Sequence, residues 1–426
     1  MELGWRYLTD GDKEQIIRGV ADGVAYGGPY HVEIHPADRC NIDCFFCSTA
    51  SIRGTDELPR DQYEKLFAEL KSLGTRSIRL SGGGEPLFHR EIRTFLRAVS
   101  ESGIPIENLT TNGVLLDETV MRLLIEARCE QITVSLNTGD PKSYAMMMQT
   151  PERLFDRVLR NIRALLAERR SKNLRGPLVN LQFLVWKQNY RTIPQMYELA
   201  RELNVDSIIF SGLSHLGAEQ KMSPAETDEM MALYEEIVRV DELRRISSIE
   251  SLEQDLTPRV EDMTARLAAE RNGRGLIAKA AAFIGRDDFT FAEKASHWLK
   301  MRRNAKVDAQ LAMLEEQCII SWHSMVIRTI GTVAPCCILQ HVPLGNIYAT
   351  SVRDVWFGER FVKLRGELSR IIREGDAWQS DPTQDEIVLP MCGGRGTDAC
   401  PIRTFYFRRD LGFRQSLSER IRESRG

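Results

Sequence analysis

The chain is 426 residues long, too long for a single hydrophobic core and suited to two or three domains. Hydrophobic residues at 42% and charged residues at 27% give the balance of a folded globular chain and exclude a disordered or fibrous one. A net charge of −3 carries no global attraction to nucleic acid or to an anionic membrane, so neither is expected as a partner. The first twenty residues, MELGWRYLTDGDKEQIIRGV, are charged throughout and lack the apolar run of a signal peptide or anchor. No stretch elsewhere is apolar enough to cross a bilayer, which points to the cytoplasm. In that reducing compartment nine cysteines read as metal ligands or redox groups before disulfides.

A short amphipathic helix over 12–25 ends at the breaker Gly27-Gly28-Pro29. A regular alternation follows: strand 30–34, helix 61–73, strand 77–80, the loop 81–86, helix 91–102, strand 108–110 and helix 117–127. It continues with strand 131–136, a long helix over 151–170, strand 178–185, helix 192–203 and strand 207–210. Six strands alternating with helices predict a parallel sheet, closed or partly closed, with right-handed crossovers. Reactive residues in such a sheet sit on the loops that follow its strands. From about 216 to 316 the pattern is helical with charged faces, which predicts an inserted or bridging segment. Beyond Cys318 come short strands, turns and cysteines, and a basic helix over 416–423 closes the chain. The basic stretches 160–175 and 403–425 alternate with apolar residues at helical spacing and read as solvated helix faces.

The loop after the first strand reads HPADRCNIDCFFCSTA and sets Cys40, Cys44 and Cys47 at C-x3-C-x2-C spacing. Three thiolates on so short a loop can ligate three irons of a cubane cluster and leave the fourth iron open to chelate a small molecule. A zinc site built from the three thiols and His35 is the competing reading. Here the chain resembles the radical S-adenosylmethionine (SAM) superfamily, over residues 30–212. Phe46, just before Cys47, matches the aromatic position that lies against the SAM adenine. The run Gly82-Gly83-Gly84-Glu85-Pro86 resembles the GGE motif that holds the SAM amino group: glycines admit close backbone approach and Glu85 offers an anion to an ammonium. Thr110-Thr111-Asn112-Gly113 looks like the family's TNG turn, with a plain turn as the simpler reading. Ser135 and Asn137 stand where family members bind the SAM ribose, although many relatives have aspartate at the position of Asn137. Cys129 lies outside both cysteine clusters and reads as a small buried hydrophobe.

Cys318 to Cys336 reads C-x12-G-x4-C with Gly331 as the glycine, Cys337 follows directly, and Cys392 and Cys400 come after a gap. Together with the downstream segment PLGNIYATSVRDVW, this resembles the SPASM/twitch extension that binds auxiliary [4Fe–4S] clusters. Five cysteines are fewer than a full SPASM domain carries, so the resemblance implies one auxiliary cluster held by Cys318, Cys336, Cys392 and Cys400. Cys337 is the spare or replaces Cys336, and an all-cysteine zinc site is the alternative.

The resemblance implies a fold of the α/β class. It comprises an N-terminal helical extension (1–29), a partial (β/α)6 TIM-like barrel as radical SAM core (30–215), a helical bridge (216–316) and a small cysteine-rich α+β domain (317–426). It implies as cofactors SAM, the SAM-binding [4Fe–4S] cluster and an auxiliary [4Fe–4S] cluster, and as electron donor a flavodoxin or ferredoxin. The expected activity is reductive cleavage of SAM to a 5′-deoxyadenosyl radical, hydrogen abstraction from a substrate, and oxidation with the auxiliary cluster as electron acceptor. A small molecule such as a sugar, an aminocyclitol or a natural-product intermediate is the expected substrate, because residues 1–29 are too few for a leader-binding domain. Maturation of a ribosomal peptide is the alternative, and a non-catalytic iron–sulfur or zinc regulatory protein is the second. Neither a catalytic acid nor a base is identified by the sequence.

Overall fold

The computed structural model describes residues 4–47, 49–50, 53–212, 222–240, 246–250, 318–337, 339–340, 342–374 and 411–424. Cys392, Cys400 and most of the 216–316 segment lie outside the described residues. The first helix, α1 (Asp10–Asp22), begins where the Thr9 hydroxyl accepts from Asp12 N and the Asp12 carboxylate accepts from Thr9 N, a reciprocal capping box. It stops at Gly23, which takes the left-handed conformation that glycine adopts without penalty. Then the alternation begins: β1 (His31–Ile34), α2 (Arg60–Ser72), β2 (Ser77–Leu80), α3 (Ile92–Ser102), β3 (Ile106–Thr111) and α4 (Glu118–Glu126). It goes on through β4 (Gln131–Ser135), α5 (Pro141–Met148), α6 (Arg153–Ser171), β5 (Leu178–Val185), α7 (Ile193–Leu203), β6 (Ser207–Gly212), α8 (Pro224–Val240) and β7 (Ile246–Glu250).

Strands β1 to β7 pair in parallel, each with the next, as the sequence predicts for the first six. The seventh is a departure. The unit β6–α8–β7 carries the alternation past residue 215, into a segment expected to be helical. Its sequence, ISSIE, has no strand signature of its own; its pairing to β6 is a non-local contact that periodicity cannot report. Helix α5 is likewise not among the expected elements, although Asp140 as N-cap and Pro141 at the first helical position announce it.

The cysteine-rich region also joins the sheet. After β8 (Ser324–Ile327), β9 (Thr332–Ala334) and β10 (Gly345–Asn346) fold back antiparallel, and β8 pairs in parallel with β1, His31 opposite Ser324 and Ile34 opposite Ile327. Among the described residues the result is one ten-stranded sheet in the order β10-β9-β8-β1-β2-β3-β4-β5-β6-β7. Helices α9 (Val352–Trp356), α10 (Glu359–Glu374) and α11 (Leu411–Ser424) follow, and α1 lies against α10 and α11. Trp322 Nε1 donates to Val24 O at 2.9 Å and Trp356 Nε1 to Gly27 O at 2.8 Å, tying the two ends of the chain together. A single apolar core runs from Trp5 to Ile421, so the N-terminal extension, barrel and C-terminal part share their packing.

Candidate active site

One face of the sheet is polar, since alternate residues of a strand share a face. Arg79 Nη2 donates to Thr110 Oγ1 (3.2 Å), Asn108 Nδ2 to Thr133 Oγ1 (2.8 Å), and Ser135 Oγ to Gln182 Oε1 (3.3 Å). At one end of this polar face opens a cavity of about 330 Å³, lined among others by Thr110, Ser135, Gln182, Leu184 and Gly212. Pockets of this size, roughly 300 Å³ and upward, suit small organic ligands. All of Cys40, Cys44, Cys47, Phe46, Gly82, Gly83, Gly84, Glu85, Ser135 and Asn137 line this cavity, though they come from three separate stretches of chain.

Glu85 is its electrostatic centre. The side chain is 3% exposed. Its carboxylate accepts from Thr111 Oγ1 (2.6 Å), Asn112 N (2.7 Å) and Leu87 N (3.1 Å), and no cation pairs with it among the described residues. Burial pushes its pKa up to about 7 against the pull of those three donors. Asn112 links this carboxylate to the cysteine loop, because its Nδ2 donates to Asn41 Oδ1 at 2.7 Å and lies 3.9 Å from Cys40 Sγ. The Thr-Thr-Asn-Gly segment is thus more than a turn: two of its residues hold Glu85.

The glycine run does more than approach a ligand. A Cβ on Gly84 would stand 2.0 Å from Arg39 O, and one on Gly83 would stand 2.5 Å from Asp38 Oδ1. Gly84 N donates to Ala37 O (3.1 Å) and Glu85 N to Arg39 O (2.9 Å). Only residues without side chains let this loop lie flat on the cysteine loop. Asn137 sits in the left-handed region (φ 63°), its Oδ1 accepting from Leu184 N at 3.0 Å, and its Nδ2 is buried without a partner. That orphaned donor beside the cavity suits a ligand acceptor. Arg53, Met148 and Gln182 also line the cavity and were not singled out from the sequence. Gln182 carried a readable signal, since it faces Ser135 across the β4–β5 pair; Arg53 and Met148 carried none.

Burial raises the Cys40 thiol, and pushes Cys44 up to about 12. Such thiols stay protonated unless a metal ion replaces the proton. Cys44 Sγ lies 3.3 Å from Met148 Sδ, and Cys47 Sγ 3.2 Å from Thr49 Oγ1. Among the described residues no three His, Cys, Asp or Glu side chains converge on a point that one ion could occupy. His35 in turn does not line the cavity, and its Nε2 is taken up by Glu33 at 3.0 Å. The three thiols, the unpaired carboxylate and the orphaned amide therefore fit a cluster with SAM better than zinc. At the far side of β1, Cys336 is buried and Cys318 and Cys337 are half-buried against the core.

Comparisons with known proteins agree with this geometry. Residues 34–200 match the family model of the radical SAM superfamily, and residues 318–384 match that of an iron–sulfur cluster-binding domain, SPASM. A probable GTP 3′,8-cyclase of Saccharolobus islandicus is 27% identical over 208 residues, 49% of this chain and 64% of that protein. The Fe-coproporphyrin III synthase of Methanosarcina barkeri is 29% identical over 190 residues, 43% of this chain and 44% of that one. The chain thus spans less than two thirds of the length of the curated relatives it matches. In fold it is similar to Streptococcus suis SuiB bound to S-adenosylmethionine, with a TM-score of 0.55 at 17% identity, over 82% of this chain and 70% of that one. The two matched domains imply SAM, a [4Fe–4S] cluster and auxiliary iron–sulfur ligation as cofactors. The chain thus carries a radical SAM domain over residues 34–200 and a SPASM-type iron–sulfur cluster-binding domain over residues 318–384.

Proposed function

We propose that the protein is a radical SAM enzyme acting on a small molecule, with Cys40, Cys44 and Cys47 as ligands of its [4Fe–4S] cluster and the adjoining cavity as the seat of SAM. The observation that carries this reading is Glu85, a buried carboxylate without a cation beside three thiols in one cavity. An uncompensated buried carboxylate is costly, and a ligand ammonium offsets that cost. When bound, the reduced cluster and SAM together supply one-electron cleavage of a carbon–sulfur bond and, through it, hydrogen-atom abstraction.

The chain's own residues then have the following tasks. Glu85 holds the ammonium, and Asn112 fixes Glu85 relative to Cys40. Phe46 offers a ring face to the adenine, and Ser135 with Asn137 offers polar groups to the ribose. Gly82, Gly83 and Gly84 bring the Glu85 loop against the cysteine loop. Cys318 and Cys336, completed by Cys392 and Cys400, are assigned to an auxiliary cluster that accepts the second electron of a net oxidation. The small-molecule class draws support from the curated relatives, a GTP 3′,8-cyclase and an Fe-coproporphyrin III synthase. The electron donor is taken to be a flavodoxin or ferredoxin, in the cytoplasm; no helix among the described residues is long and apolar enough to cross a membrane.

The test is iron and sulfide content after anaerobic reconstitution, with the triple variant Cys40→Ala, Cys44→Ala, Cys47→Ala beside the native chain. About eight irons should fall to about four, and 5′-deoxyadenosine release from SAM under reduction should disappear. About four irons falling to none, with zinc retained, would assign the C-terminal cysteines to zinc instead. Unchanged iron and unchanged 5′-deoxyadenosine in the triple variant would overturn the proposal.

A further inference from the structure

Asp38 lies in the loop between β1 and Cys40, is 2% exposed, and does not line the cavity. Its partners come from the opposite end of the chain. Thr329 Oγ1 donates to Asp38 Oδ2 at 2.6 Å, and Arg328 Nη2 stands 3.8 Å from the same oxygen. Both residues belong to the turn between β8 and β9, the hairpin that runs on into Cys336 and Cys337. The turn is itself braced: the Tyr348 hydroxyl donates to Thr329 O, and Gly331 adopts φ 77° where a Cβ would meet Asn346 Oδ1 at 2.6 Å. On its other side Asp38 Oδ1 has no hydrogen-bond partner and presses against Gly83. The backbone holds the same junction, with His35 N donating to Ile327 O at 2.9 Å and Gly84 N to Ala37 O at 3.1 Å. One buried carboxylate therefore meets three parts at once: the first cysteine loop, the glycine loop and the C-terminal hairpin.

We propose that Asp38 is a positioning residue through which the C-terminal iron–sulfur domain seats the first cysteine loop and sets the electric field at the cluster held there. The proposal rests on the assignment of Cys40, Cys44 and Cys47 to a [4Fe–4S] cluster. Reduction adds negative charge to that cluster, so a nearby carboxylate disfavours it, and hydrogen bonds and cations that offset the carboxylate favour it. Arg328 and Thr329 offset it, and both come from the C-terminal domain. The hairpin thus reaches the first cluster through a side chain rather than through solvent.

The two halves of this latch act with opposite sign, which a merely structural contact would not do. The measurement is a redox titration of the full-length, reconstituted protein, following the electron paramagnetic resonance signal that the Cys40/Cys44/Cys47 triple variant lacks. Asp38→Asn removes the charge and should move the potential of that signal to a less negative value. Thr329→Val leaves the charge and removes its donor, and should move it to a more negative value. Thr332→Val, on β9 of the same hairpin, should leave it unchanged. Shifts of the same sign in Asp38→Asn and Thr329→Val, or no shift in either, would overturn the proposal. Should Asp38→Asn fail to load iron, Arg328→Gln replaces it: with Thr329→Val it removes a group that offsets the carboxylate, so both must move the potential downward, and any other result overturns the proposal. A native chain without that signal would instead fail the cluster assignment itself, a distinguishable outcome.

Discussion

Glu85 concentrates the chemistry of the site in one side chain, because its partners among the described residues are neutral donors and none is a cation. Glu85→Gln keeps the shape and removes the charge, so SAM affinity should fall by about 100-fold, about 3 kcal/mol, with iron content unchanged; equilibrium dialysis with labelled SAM checks it. Its titration gives a second handle. Burial raises the folded-state value from 4.5 to about 7. The ligand-free protein therefore has the stability contributed by this group in full below the unfolded value of 4.5, and loses it as pH rises through about 7. A ligand ammonium draws the proton off. SAM binding near pH 6 should accordingly release roughly one proton, and none well above pH 8, as calorimetry in two buffers of different ionisation heat would show. Gly84 is the other sensitive position. A methyl group 2.0 Å from Arg39 O cannot be accommodated by a side-chain shift, since the obstacle is backbone. Gly84→Ala should displace the cysteine loop and lower the iron bound at the first site, read by iron content beside the native chain.

At the scale of elements, α1 shows how a helix on the rim is fixed to the barrel. Asp12 closes the capping box with Thr9 and also receives both Arg76 Nε (2.9 Å) and Nη2 (3.0 Å), from the residue that precedes β2. Burial pushes the Asp12 carboxyl up, but the Arg76 guanidinium and the Thr9 groups outweigh it and hold it below its ordinary 3.8. The stability from this group is therefore present above about 3.8 and lost as pH falls through the lower folded-state value. Arg76→Met should cost about 1 kcal/mol at neutral pH, a difference that shrinks as Asp12 is protonated; urea unfolding at several pH values measures it. Helix α5 does for the site what α1 does for the rim. Capped by Asp140, it ends with Met147 O accepting from Phe45 N and Met148 touching Cys44, so its last turn steadies the cysteine loop.

For the whole molecule, the consequential fact is the parallel pairing of β8 with β1. The C-terminal part completes the sheet beside the strand that leads into the cysteine loop. A chain ending at residue 316 would lose β8, β9 and β10 and bare the β1 edge, and would also lose the helices that cover α1. An exposed, fully buried-type strand edge pairs with other chains. The truncated protein should therefore aggregate rather than persist as an independent barrel, which sedimentation of the soluble fraction would show. A soluble, monomeric 1–316 would mean that the shared core contributes little.

Local order was readable from the residues. Strands β1 to β6 and their helices other than α5 follow from period and punctuation, because amphipathic faces and glycine or proline breaks act over a few residues. The cysteine spacing and the Gly-Gly-Gly-Glu run were equally legible, since ligation and close approach demand particular residue types at short range. What stayed hidden depends on contacts between distant parts of the chain. Strand β7 is paired only through its neighbour β6, the hairpin after Cys318 belongs to the barrel's own sheet, and Gly83 and Gly84 face the loop at 37–39 as well as the cavity. The unpaired state of Glu85 and the clasp of Thr329 on Asp38 are likewise facts of three-dimensional placement. The residue types that a site needs are written along the chain, but which of them meet is set by sheet order and shared packing, whose energies come from pairs that periodicity does not record.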